Sequence, residues 1–192
     1  MAGSIIVGGK TLATHTNTNS LKLENSVFPA GHILQVQSGT YDTQTSISTT
    51  RTAVITLTFN TKGTNSTFYA HANACVGAHA DNQGYWGGIC LKEGSAVDFG
   101  SPMQIYLGTA YIPSGSGMEA LFGNDYGNGF GNQYQILFPA WSAEKTTTIA
   151  AGTTITVALW FRGVNTLYIN RSSDRASHEG GITRLVVHEV QS

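Results

Sequence analysis

The run Ile155 to Phe161, I-T-V-A-L-W-F, limits most strongly what this chain can become. In an extended strand, successive side chains point to opposite faces. Ile155, Val157, Leu159 and Phe161 then share one face, and Thr154, Thr156, Ala158 and Trp160 share the other. Gly163 to Asn165 supplies a turn, because Gly and Asn accept positive φ at low cost. A second short strand follows at Thr166 to Ile169. The polar block Asn170 to Gly181 reads as a loop. Thr183 to Val190 closes the chain as a third strand, with Leu185 and Val187 set against Val186, His188 and Val190. A final strand of this kind is expected to be held by partners and ordered.

The rest of the chain fits the same class. Only 11% of its 192 residues are charged, while 23 are glycine and 24 threonine. High Thr and Gly with few charges suits many short strands joined by turns. The length allows one domain with a sizeable core. A net charge of −1 gives no electrostatic footprint for nucleic acid. The first ten residues lack the basic and long apolar segments of a signal peptide. No stretch approaches the ~20 apolar residues that span a bilayer as a helix. Synthesis in a cytosol, without membrane insertion, is the expectation.

Taken in order, residues 1–30 read as an extended arm. Ile5, Ile6, Val7, Leu12, Leu21, Leu23, Val27 and Phe28 are apolar points in polar sequence, too sparse to offset ordering entropy alone. They are the candidate attachment residues, by which the arm orders on a partner or on sister subunits. The plainer alternative is a frayed terminus. Residues 31–192 form the expected β-sandwich. Its strands are Ile33 to Gln37, Thr52 to Asn60, Ser66 to His79, Tyr85 to Leu91, one or two within Met103 to Ile112, and Gln133 to Phe138. Ser38 to Thr50 reads as an edge strand or loop. Ala140 to Ala151 reads as a connection, with Thr146 to Ile149 in extended form at most. Ala53, Ile55, Leu57 and Phe59 are expected on the core face. Ala70, Ala72, Ala74 and Ala78 suggest close sheet packing or a tight subunit seam. About eight or more short strands with turns every 8–12 residues is the pattern of a sandwich.

A resemblance adds to this. The terminal order of alternating strand, short turn, L-Y-I-N-R-S-S-D, polar loop and V-V-H-E-V resembles the C-terminal domain of small phage virion proteins, of the tail-fibre or virion-surface type found in marine and cyanobacterial phages. P-A-G-H-I-L-Q-V-Q (Pro29 to Gln37) and W-G-G-I-C-L-K-E-G extend the likeness upstream. The resemblance implies a jelly-roll-like antiparallel sandwich, often trimeric.

Motifs for chemistry are missing. The sequence holds no G-x-S-x-G, H-E-x-x-H, C-x-x-C or G-x-x-x-x-G-K-[ST]. G-N-D-Y-G-N-G-F-G at Gly123 to Gly131 lacks the flanking strand and helix of a nucleotide loop, and lacks the terminal Glu of a calcium loop. Asp81, Asp98, Glu119, Asp125 and Asp174 lie near loops, with nothing to pair two of them for acid–base work. His71 and His79 would stand ~26 Å apart on a continuous strand and could not share an ion; copies of one His on a three-fold axis could. No cofactor or metal is expected. Cys75 and Cys90 read as buried free thiols, or as a cross-strand bridge if a symmetric hairpin centres on Asn82 and Gln83. The sequons at Asn65 and Asn170 read as chance matches.

What remains is recognition. Asp81, Asn82, Gln83, Tyr85 and Trp86 in one loop mix rings with amides, as do Phe122, Asn124, Asp125, Tyr126, Asn128 and Phe130 in another. Rings stack on sugar faces and amides bond hydroxyls, while the same mixture serves protein contacts. These rings could equally cap the sandwich ends. Two functions follow. The chain is a trimeric fibre or receptor-binding surface protein that meets a host glycan or protein, or it is a trimeric capsid decoration protein that clamps the shell. Its partners are itself and other virion proteins. A carbohydrate-binding module or an enzyme fits less well.

Overall fold

The computed structural model describes residues 3–15, 21–23, 30–78, 85–101, 103–106, 120–122, 136–137, 139–163, 166–171 and 181–192. Every described element is a β-strand, and every pairing is antiparallel. The strands are β1 (Gly3–Val7), β2 (Lys10–His15), β3 (Leu21–Leu23), β4 (Ile33–Tyr41), β5 (Thr45–Ile47), β6 (Thr52–Asn60), β7 (Thr67–Asn73) and β8 (Val76–Ala78). They continue as β9 (Tyr85–Glu93), β10 (Gln104–Tyr106), β11 (Ala120–Phe122), β12 (Ile136–Leu137), β13 (Ala140–Thr146), β14 (Thr154–Gly163), β15 (Leu167–Ile169) and β16 (Thr183–Val190).

The main strands fall into two sheets. One has the order β10-β13-β7-β16-β4 and the other β11-β9-β14-β6. The chain crosses between them repeatedly: β4, β7, β13 and β16 lie in the first, β6, β9, β11 and β14 in the second. A five-stranded and a four-stranded layer interleaved in this way are a jelly roll, the fold class expected from the sequence. A smaller sheet, β12-β8-β15-β5, continues the sandwich at one end.

β14 organises the second sheet, pairing with β9 on one side and β6 on the other. Its alternation is realised as read. Ile155, Val157, Leu159 and Phe161 enter the core with Phe68, Ile89, Leu91, Leu185 and Val187. Ala158 and Trp160 face outward and form a second cluster with Cys90, covered by Ala53, Trp86, Val97 and Phe99. At ~25 cal/mol per Å² of apolar surface removed from water, this double-sided burial makes β14 a large contributor to stability.

Several expectations are corrected. Ala53 is not on the core face. The register shifts between Leu159 and Trp160, so that Leu159 opposes Ile55 and Trp160 opposes Ala53. The extra residue, Val54, turns toward the core and Ala53 turns out to Trp160. The strand Ser66 to His79 breaks at Ala74 and Cys75, where the chain leaves β16 and takes up β15 and β12. Ala70, Ala72 and Ala74 are buried in the subunit's own core, so a subunit seam is not their role. Ala140 to Ala151 is not a connection: its first seven residues are β13, paired along its length with β7. The stretch escaped notice because Ala143 is the one buried apolar residue described in that strand. Cys75 and Cys90 are free and buried, and they do not face each other, since β9 pairs with β14 and β11 rather than with β7 or β8.

The N-terminal stretch is a three-stranded meander, β1-β2-β3, rather than a single extended segment. Val7 pairs with Lys10 across Gly8 (φ 57°) and Gly9 (φ 78°). Positive φ at both central residues is the type I′ condition, which Gly-Gly meets without strain.

Candidate binding surfaces and the buried polar clamps

Two buried polar side chains hold the ends of β16. The parity that buries Leu185 and Val187 also turns Thr183 and Glu189 inward, and both are fully buried. The Glu189 carboxylate accepts from the backbone N–H of Lys62 (2.9 Å) and Gly63 (2.7 Å), from Ser66 Oγ (2.8 Å) and from Gln35 Nε2. Converging donors of this kind satisfy a buried carboxylate without a cation. They fix the turn Thr61 to Ser66, which in turn bonds the segment 147–153 through Thr61 Oγ1 to Ala150 O (2.7 Å) and Thr147 N to Ser66 O (3.0 Å).

At the other end sits Asn170, fully buried and in the left-handed region at φ 61°. Its Nδ2 donates to Tyr41 O (2.6 Å) and Thr43 O (3.2 Å), its Oδ1 accepts from Thr183 Oγ1 (2.8 Å), and its N–H donates to Cys75 O (2.8 Å). Both amide protons are committed, so the sequon at Asn170 cannot carry a glycan in this fold. Sequence reasoning missed both clamps. Strand parity would have found Glu189.

Candidate attachment residues group on the meander. Ile5, Ile6 and Val7 of β1 are 53%, 59% and 60% exposed, three adjacent large apolar side chains in water. Leu12 is half-buried on β2. Leu21 and Leu23 lie on β3 by their backbone. Val27 and Phe28 lie outside the described residues.

Among the candidate recognition residues, Trp86 is placed most fully. It is half-buried on the outer face of β9, opposite Arg162 of β14, whose guanidinium stacks 4.5 Å from the indole centroid. On the same face Arg51 lies 5.1 Å from the Trp160 ring, and Phe99 meets that ring edge-on at 5.9 Å. Tyr85 and Phe122 pair across β9 and β11, so the two loops read as recognition elements are anchored on neighbouring strands. Asp81, Asn82, Gln83, Asn124, Asp125, Tyr126, Asn128 and Phe130 lie outside the described residues.

The histidine reading changes. His71 on β7 and His188 on β16 approach to 5.6 Å between ring centroids, and His71 Nδ1 bonds Ser142 Oγ at 2.8 Å. His79 lies outside the described residues. Among the described residues, no three His, Cys, Asp or Glu side chains gather as metal ligands.

No family model and no curated protein matches this sequence. Among solved structures, the chain is similar to the VP2 subviral particle of infectious bursal disease virus, at 8% identity and a TM-score of 0.39, covering 93% of this chain and 42% of that one. It is similar also to a structure of the Gx strain of infectious bursal disease virus, at 8% identity and a TM-score of 0.31, covering 99% of this chain and 46% of that one. The chain spans less than half the length of either. The assignment as a jelly roll rests on the strand order of the two sheets.

Proposed function

We propose that this chain is a non-enzymatic structural protein of a virus particle, in the finer reading a trimeric phage fibre or receptor-binding surface protein attached through residues 1–30. The observation that carries the proposal is the exposed Ile5-Ile6-Val7 edge on a meander whose described pairings are all internal to it. Ile5 and Val7 on one face of β1 and Ile6 on the other leave large apolar side chains in water on both sides of the strand, which marks a segment that another protein covers. The edge strand β1 also offers unpaired backbone groups to a partner strand. The jelly roll behind it is clamped at both ends of β16, which gives a rigid body for loops that meet a host surface. The family resemblance is what motivates three-fold assembly. The decoration-protein reading uses the same edge to clamp a capsid shell.

Deletion of residues 1–30 tests attachment. The sandwich remains folded by circular dichroism and incorporation into particles is lost. Full incorporation of the truncated chain overturns the reading. Host-cell adsorption by the purified chain, weakened in Trp86→Ala and Tyr126→Ala, supports the receptor-binding form; adsorption unchanged in both supports decoration. Light scattering gives a trimer mass, and a stable monomer at micromolar concentration counts against trimeric assembly.

A further inference from the structure

We propose that a cleft between the two sheets, at Lys145, is a binding site for a small hydroxylated carboxylate, of the kind an acidic saccharide unit presents. The proposal deepens the receptor-binding reading and rests on it for the source of the ligand. The cleft has a volume of about 470 Å³ and is lined by Leu91, Ser101, Lys145, Thr148 and Ile149 among others. That lies within the range of ~300–1,000 Å³ typical of small-molecule sites.

Lys145 belongs to β13 of the first sheet and reaches across to the second. Its Nζ donates to Leu91 O at 3.0 Å and to Ser101 Oγ at 2.9 Å. Two of the three ammonium protons are therefore fixed, and one remains for a ligand. Burial holds the proton affinity of this lysine below the ordinary value, a sign that the charge is poorly solvated. Lys92 and Glu93 also line the cleft, and the nearby carboxylate of Asp98 is held by Lys92 at 3.0 Å and by Gly100 N at 2.9 Å. Among the described residues, Lys145 forms no ion pair. The Asp98 carboxylate attracts it from a distance but is committed to Lys92 and the Gly100 N–H. A partly desolvated cation whose counter-charge is paired elsewhere gains from an incoming anion.

The other lining groups narrow the class. One free N–H matches a single carboxylate oxygen and would leave most of a phosphate unpaired. Ser101 and Thr148 bring hydroxyls that exchange hydrogen bonds with a polyol.

The test titrates the full chain with glucuronate, N-acetylneuraminate, glucose and acetate, followed by calorimetry. The acidic sugars bind at least tenfold more tightly than glucose or acetate, Lys145→Met loses at least tenfold, and the exposed Thr148→Val loses severalfold while remaining folded. Equal affinity for glucose, absence of binding at millimolar sugar, or unchanged affinity in Thr148→Val and folded Lys145→Met overturns the site. Adsorption to host cells separates the two readings. Wild-type adsorption that Lys145→Met leaves intact, with sugar binding likewise unchanged, overturns this site and keeps the receptor-binding form. Lysine-dependent sugar binding without adsorption to cells keeps the site and overturns that form.

Discussion

Trp160 occupies the space that a side chain at Gly88 would need. A Cβ at position 88 would fall 2.7 Å from Cζ2 and 2.8 Å from both Cε2 and Nε1 of the indole. The two residues oppose each other in the β9–β14 ladder, so the indole lies across the β9 backbone with Phe99 at its edge. Gly88→Ala must push the ring off this seat. Overpacking of this kind costs ~1–3 kcal/mol. Urea unfolding followed by tryptophan fluorescence shows the loss, together with a shifted native emission. An unchanged midpoint would mean that the ring relocates freely.

Glu189→Gln presents an amide N–H₂ to a turn that offers only donors. The N–H groups of Lys62 and Gly63 and the Ser66 hydroxyl then compete for one carbonyl oxygen. Leaving buried donors unpaired costs ~1–3 kcal/mol for each group. The variant is less stable by at least that amount for one group, and amide hydrogen exchange quickens first at Lys62 and Gly63. Protection unchanged at those two amides would contradict the clamp.

Asn170 separates backbone from side-chain effects. Asn170→Gly keeps a residue suited to φ 61° but loses the bonds to Tyr41 O, Thr43 O and Thr183 Oγ1. The expected cost is ~2–3 kcal/mol by chemical denaturation. Asn170→Ala loses the same bonds and adds left-handed strain of ~1–2 kcal/mol. Equal stability of the Gly and Ala variants would show that the conformation carries no cost here.

Asp98 sets an acid response in the segment over Trp160. The hydrogen bond from Lys92, helped by the Gly100 N–H, holds its carboxyl below the ordinary value of 3.8. With the folded pKa depressed, the folded state binds fewer protons than the unfolded chain. The stabilisation is present above the unfolded pKa and is lost as pH falls through the folded one. Acid titration of Trp160 fluorescence below pH 3.8 shows a transition that Asp98→Asn removes. The same transition persisting in Asp98→Asn would assign it to another group.

The sequence by itself determined the class of fold. Alternation in β14 and β16 set Ile155, Val157 and Leu159 on one face and Trp160 on the other, and Leu185 and Val187 opposite Val186 and His188, because a strand has only two faces; packing shows which face is the core. The same rule puts Glu189 on the face of Leu185 and Val187, a consequence the sequence reading did not draw. Tertiary structure alone decided three things. The extra residue at Val54 reversed the face of Ala53, because a bulge changes parity without changing composition. Ala140–Thr146 became a strand because β7 and β10 pair with it, although its own residues carry little apolar signal. Lys145 met Leu91 and Ser101, far away in the chain, only once the two sheets had closed on each other. Local pattern sets which way a side chain points; the pairing of distant strands sets what it meets, and that choice is made by summed burial and hydrogen bonding over the whole sandwich.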